Sequence, residues 1–146
     1  MTSGADRFDI MHRKLKETGF RITPQRLAIL KILSESVGHP SAQAIYEKVK
    51  LDFPTTSMAT VYKTLAVLKA LEEVLELEFS GDFNRYDGKI PFPHPHLICI
   101  KCKKIVDPAL GGIEDITQKL MAETGYTISR HRLDFYGLCP ECRKTE

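Results

Sequence analysis

The chain has 146 residues, enough for one large domain or two small ones, and 42% of them are hydrophobic, so a packed core is feasible. No apolar run approaches the roughly 18–20 residues that span a bilayer, and the opening MTSGADRFDI lacks a basic stretch followed by an apolar one, so neither a helical membrane anchor nor a secretory leader is expected and the chain reads as cytoplasmic. The formal charge of +2 is unevenly spread: residues 1–71 carry eleven Lys/Arg against six Asp/Glu, residues 72–93 two against six, and residues 94–146 eight against seven. A basic first half fits nucleic acid, and it fits an ordinary solvated surface as well.

Four helices are predicted first. Phe8, Met11 and Leu15 recur at helical spacing, with Gly19 suited to end the turn. TPQRLAILKILSES places Thr23 as N-cap, Pro24 at the first helical position and Leu27, Leu30 and Leu33 inside. HPSAQAIYEKVKLDF opens on Ser41, with Ala44, Ile45 and Val49 as its apolar side. TTSMATVYKTLAVLKAL begins near Thr56 or Ser57 and carries Met58, Val61, Leu65 and Leu68 on one stripe. The period then changes: residues 74–79 alternate, Ser80-Gly81-Asp82 turn, and 83–86 resume, which predicts a hairpin. Helices followed by a hairpin describe a winged helix-turn-helix over residues 1–88.

KIPFPHP, with three prolines in seven residues, marks 89–95 as a linker. Residues 96–146 then read as a small α/β domain, which makes the fold class α+β. HLICI and KKIVD look like short strands. GGIEDITQKLMAETG looks like a helix with Ile113, Ile116 and Leu120 on one side and Gly125 at its end, and YTISRHRLDFYGLC looks like a long strand.

On the fourth helix Ala59, Thr60 and Lys63 lie opposite the apolar stripe, and Tyr62 sits on the flank. Small residues allow close approach to base edges, Thr and Tyr offer hydrogen bonds, and Lys63 suits phosphate or guanine, so this face fits a major groove. An amphipathic helix with a wet face has the same pattern; its place before a wing favours the groove. Arg21 precedes Thr23 and is within reach of a backbone or minor groove.

All four cysteines fall in two Cys-x-x-Cys pairs, Cys99/Cys102 and Cys139/Cys142. Without a secretory leader that pattern argues for metal rather than disulfides. Four thiolates close a tetrahedron around Zn²⁺ and leave no open position, so the role is structural.

The remaining donors are His39, Asp87, His94, His96 and Asp107. Each has a plain alternative: His39 before Pro40 closes a turn, Asp87 before Gly88 is a good turn residue, and Asp107 before Pro108 ends a strand. His94 and His96 alternate, so both face one way on an extended chain. Imidazole with carboxylate suits Fe²⁺, Mn²⁺ or Zn²⁺ and leaves room for water or oxidant. A cation bound by all five would lock the two halves together. A small hydrolase using the His/Asp site, or a zinc-stapled adaptor with no second metal, would share these residues; no separate catalytic base stands out.

The stretches RITPQRLAIL, HPSAQAIY, ATVYKTL, HPHLICIKCKKIVD and HRLDFYGLCPEC, in that order, make the chain resemble the ferric uptake regulator (Fur) family over nearly its whole length. The resemblance implies an N-terminal winged helix, a C-terminal α/β dimerisation domain with structural zinc, and a homodimer that binds AT-rich palindromic operators in double-stranded DNA when metallated. It implies one Zn²⁺ per subunit on Cys99, Cys102, Cys139 and Cys142, and one regulatory Fe²⁺ or Mn²⁺ per subunit. It puts Tyr62 and Lys63 in the major groove and Arg21 near the minor groove. The set His39, Asp87, His94, His96 and Asp107 resembles that of the peroxide-sensing branch, because iron-sensing members typically have glutamate where Asp107 stands. On that branch the metal-catalysed oxidation of His39 or His94 releases the DNA, and peroxide is a signal rather than a turned-over substrate. An iron-responsive repressor without peroxide sensing is the alternative. Pro95 separates the histidines of the denser cluster of many members; Glu114 and His131 match other ligands of a further metal site there.

Overall fold

Three short polar side chains set where the helices of the first half begin. In the computed structural model of the protein, which describes residues 4–78 and 83–145, the hydroxyls of Thr23, Ser41 and Ser57 accept the backbone N–H groups of Arg26, Ala44 and Thr60 at 3.2, 3.1 and 3.2 Å. Each satisfies a donor that the first helical turn leaves open, worth about 1 kcal/mol. The helices are α1 (Gly4–Glu17), α2 (Pro24–Glu35), α3 (Ala42–Asp52) and α4 (Met58–Ala70). They bury Met11 and Leu15 against Ile29, Leu30 and Leu33, with Ile45, Val49, Val61, Leu65 and Leu68 completing the core. On α3 the buried alanine is Ala42, with Ala44 half-buried, because Ala42, Ile45 and Val49 stack at i, i+3 and i+7.

The winged hairpin follows as β1 (Leu75–Leu77) and β2 (Arg85–Asp87), antiparallel with Leu75 opposite Asp87. The turn expected at Ser80-Gly81-Asp82, and Phe79, lie outside the described residues. Charge is also buried here. The Arg7 and Glu73 side chains pair at 2.8 Å with almost no exposure, and Lys14 reaches the other Glu73 oxygen.

The chain divides into two compact units, Met1–Phe92 and Pro93–Glu146. In the second, β3 (His96–Cys99) lies between β4 (Ile105–Val106), antiparallel, and β5 (Asp134–Gly137), parallel. Helix α5 (Ile113–Thr124) makes the crossover and ends at Gly125, whose left-handed backbone (φ 76°) donates its N–H to Met121. A short α6 (Pro140–Lys144) closes the chain.

One expectation needs correction. The long strand is confined to Asp134–Gly137, because the register begins at His96 opposite Asp134 and β3 offers no strand residue further upstream. The helix expected to end at Gly125 is present as α5, and its apolar side lies open: none of its residues is buried, and Ile116 and Leu120 are exposed. The only buried hydrophobics of this unit, among the described residues, are Ile98, Cys99 and Ile105.

Candidate functional site

The four cysteine sulfurs lie within 4.8 Å of one another. The Cys102 and Cys139 sulfurs are 3.8 Å apart, which is about the edge of a tetrahedron with Zn–S bonds of about 2.3 Å. Local backbone builds this. After Cys99 the chain folds back through Lys103, in the left-handed region (φ 67°), whose N–H bonds to the Cys99 carbonyl at 3.0 Å. Cys139 precedes Pro140 and starts α6, which brings Cys142 round one turn. The N–H groups of Cys102 and Cys139 both point at the Cys99 sulfur, at 3.5 and 3.4 Å, and these bonds pull its thiol down to about 5. Hydrogen bonding with the Cys139 thiol, then desolvation, raises Cys142 to about 12. Four thiolates so close together need a cation, and the donor set fits Zn²⁺.

Of the histidines and carboxylates, His39 and Asp87 belong to the first unit and His94, His96 and Asp107 to the second. In the first, consecutive left-handed residues Gly38 (φ 97°) and His39 (φ 56°) turn the imidazole inward. A non-glycine residue in that region is strained, and its surroundings must hold it. Arg85 does so, donating to the carbonyls of Gly38 and His39, while Tyr86 N–H bonds to the Pro40 carbonyl at 2.9 Å. His39 Nδ1 lies 3.4 Å from Asp87 Oδ2, and both side chains are buried. The other Asp87 oxygen, Oδ1, accepts the N–H groups of Lys89 and Ile90 at 2.9 Å each. One carboxylate oxygen is thus anchored and the other is aimed at the imidazole.

In the second unit, His94 Nε2 and His96 Nε2 lie 3.4 and 3.6 Å from the same Asp107 oxygen. The two rings are 4.4 Å apart. Those separations are long for N–H···O bonds but near the ~3–3.4 Å between ligands that share an ion at ~2.0–2.1 Å. His96 also has a partner that the sequence reading missed: its Nδ1 faces Asp134 Oδ1 at 3.2 Å, and Arg132 holds the second Asp134 oxygen. A carboxylate behind a ligating histidine fixes its tautomer and ring plane. Only the β3–β5 register brings the two together, so sequence spacing carried no sign of it. Glu114 and His131 line a hollow of about 200 Å³ with His94, Pro95 and Leu110.

On α4, Ala59, Tyr62 and Lys63 are exposed and Thr60 is half-buried. Thr64 is turned inward, its hydroxyl bonded to the Thr60 carbonyl at 2.8 Å. Arg21 is exposed; its carbonyl accepts from the Arg26 guanidinium, which rests on the Phe20 ring at 4.2 Å.

A winged helix followed by a thiolate-stapled α/β unit, with imidazole–carboxylate groups in both, defines a metal-containing transcription regulator. The model of the ferric uptake regulator family matches residues 17–136, and the chain belongs to that family. It is 45% identical to the peroxide operon regulator of Bacillus subtilis over 132 residues, covering 90% of each chain. It is similar to the peroxide-sensing regulator PerR of Streptococcus pyogenes at 36% identity, with TM-score 0.52 over 93% of this chain and 92% of that one. The Helicobacter pylori ferric uptake regulator, described as having three functional metal-binding sites, shares the fold with TM-score 0.82 at 24% identity, over 97% of this chain and 95% of that one.

Proposed function

We propose that this protein is a metal-dependent repressor that senses peroxide, with Cys99, Cys102, Cys139 and Cys142 holding structural Zn²⁺. His39, Asp87, His94, His96 and Asp107 are proposed as ligands of one regulatory Fe²⁺ or Mn²⁺. The observation that carries the reading is the pair of half-sets: a buried His/Asp pair in the winged-helix unit, and two imidazoles converging on one carboxylate oxygen in the α/β unit. Neither alone fills the coordination of an ion that takes up to six ligands; together they supply five donors and leave one position open to water or oxidant. Residues 1–88 form the DNA-binding domain, 89–95 the hinge and 96–146 the dimerisation domain.

A ligand set divided in this way gives the ion leverage over shape. An ion that binds the closed form better shifts the equilibrium by that difference alone, and a swing from 1:99 to 99:1 needs about 5.5 kcal/mol. The closed homodimer presents two α4 helices, with Thr60, Tyr62 and Lys63 toward successive major grooves of an AT-rich palindrome and Arg21 near the minor groove. The open apolar side of α5 and the exposed Phe135 and Tyr136 of β5 supply a surface for the second copy. Fe²⁺ held by His39, Asp87, His94, His96 and Asp107 would activate peroxide beside the imidazoles. One peroxide oxygen would pass to a ring carbon of His39 or His94 and the other would leave as water, so peroxide itself is the two-electron oxidant; the oxidised ring would be lost as a ligand and the ion released. The event consumes the protein's own side chain once, so the protein is a sensor and not an enzyme, acting on operators in the cytoplasm.

The test is Fe²⁺-loaded protein treated with a modest excess of peroxide, followed by peptide mass spectrometry and operator binding. Added oxygen on peptides carrying His39 or His94, with loss of binding, is expected; Mn²⁺-loaded protein keeps both intact. Unmodified peptides and unchanged binding with Fe²⁺ would leave an iron-responsive repressor in place of the peroxide sensor.

A further inference from the structure

We infer that Arg7, acting through the Gly88 carbonyl, is the positioning residue for the Asp87 ligand and ties that ligand to the end of the recognition helix α4; this rests on Asp87 being a regulatory ligand.

Arg7 lies on α1, far in sequence from any proposed ligand, yet its side chain is buried and bonded through Nε and one terminal nitrogen. Its Nε donates to the Gly88 carbonyl at 2.9 Å. One terminal nitrogen donates to the Glu73 carbonyl at 3.0 Å and to the Glu73 carboxylate at 2.8 Å. The Gly88 carbonyl and the Lys89 N–H belong to the same planar peptide. Arg7 grips the oxygen end of that peptide while Asp87 Oδ1 takes the N–H end at 2.9 Å. Rotating the peptide to release one bond breaks the other, so the guanidinium fixes the plane on which the Asp87 carboxylate rests.

Gly88 completes the clamp. A Cβ there would meet Leu33 Cβ at 2.8 Å and the Leu33 carbonyl at 3.1 Å. The loop is therefore pressed onto α2 from one side and held by Arg7. At the other end, Glu73 N–H bonds to the Leu68 carbonyl at 2.9 Å, which anchors Glu73 to α4 just beyond its cap. Asp87, Gly88, Arg7, Glu73 and Leu68 form a continuous line from ligand to recognition helix. Only a planar fork reaches the Gly88 carbonyl and Glu73 at once; a lysine at position 7 satisfies one and leaves the other.

The experiment measures Mn²⁺ affinity by calorimetry on zinc-loaded protein, together with hydrogen exchange at the Lys89 and Ile90 amides. Arg7→Lys keeps a positive charge for Glu73, and the double variant R7M/E73Q strands no buried charge, so a folded sample is secured by one or the other. Both are expected to weaken Mn²⁺ binding tenfold or more, in line with other groups that orient ligands, and to speed exchange at the two amides. Leu15→Val, which loosens α1 without touching Gly88, is expected to stay within twofold of wild type. Asp87→Ala separates the two claims. If D87A loses Mn²⁺ while the Arg7 variants bind within twofold of wild type, the clamp is wrong and the ligand reading stands. If D87A binds Mn²⁺ as wild type does, Asp87 is no ligand and the inference falls with that reading.

Discussion

His96 and Asp134 face each other across the parallel β3–β5 pair, with Nδ1 and Oδ1 3.2 Å apart, while the opposite ring nitrogen of His96 points at Asp107. The imidazole is thus held by one carboxylate and offered to a site containing another. With Nδ1 protonated toward Asp134, Nε2 would keep its lone pair for the proposed regulatory ion.

Asp134→Asn replaces a charged acceptor with an amide that can present either end. Mn²⁺ affinity is expected to drop about 10- to 100-fold. The zinc content is expected to stay at one per chain, because Asp134 sits at the far end of β5 from Cys139. Calorimetric titration with Mn²⁺ and a thiol-reporter zinc assay check the two halves.

Removal of the structural metal should unfold the second unit selectively. Residues 93–146 bury only Ile98, Cys99 and Ile105 among their described hydrophobics, too little to hold a strand–helix–strand fold alone. Binding energy at a tetrathiolate site is folding energy in such a unit. Cys142→Ser, or chelation under reducing conditions, is expected to collapse amide dispersion for residues 96–145 and leave the Leu30 and Leu65 core signals in place. Heteronuclear correlation spectra distinguish this from global unfolding.

Much of this was legible in the sequence wherever local chemistry decides the outcome. Thr23, Ser41 and Ser57 announce helix starts because a cap is a contact three residues away. The cysteine pairs announce a metal because each Cys-x-x-Cys turn aims two sulfurs at one point, and two separate redox pairs in so small a domain would be unusual. What escaped was set by register or long-range packing. Nothing in the spacing around Arg7 marks it, and only the tertiary fold brings it to residues 73 and 88. The apolar side of α5 is present as the pattern predicts, but its exposure was not legible, because a stripe says that a helix wants a partner and not which chain supplies it.

Stability in acid should depend on Glu73. Burial alone would raise its carboxyl, but hydrogen bonds from Lys14 and Arg7 outweigh that and hold it below the usual carboxylate range. A group whose folded pKa is depressed adds stability above its unfolded value, near 4.3, and loses it as pH falls through the folded one. Glu73→Gln is therefore expected to cost about 1–3 kcal/mol at pH 7, the worth of charged hydrogen bonds. The difference from wild type should shrink as the pH falls below 4. Urea midpoints followed at core amides of the first unit, at pH 7 and pH 4, give the comparison.

The α4 face makes separable predictions for Tyr62 and Lys63, because phosphate and base contacts respond differently to salt and to sequence. Both side chains are exposed and neither supports the core, so substitution leaves the thermal midpoint unchanged. Lys63→Ala, if the ammonium meets phosphate, weakens binding about equally on all duplexes and lowers the slope of log K against log salt by about 1. Tyr62→Ala, if the ring touches a base edge, costs about 1–3 kcal/mol on the operator and little on random DNA, with the salt slope unchanged. Fluorescence anisotropy on Mn²⁺-loaded dimer, with operator and scrambled duplexes at several salt concentrations, resolves the two signatures. A Tyr62→Ala loss that is equal on both duplexes would remove Tyr62 from sequence readout and leave α4 as a backbone contact alone.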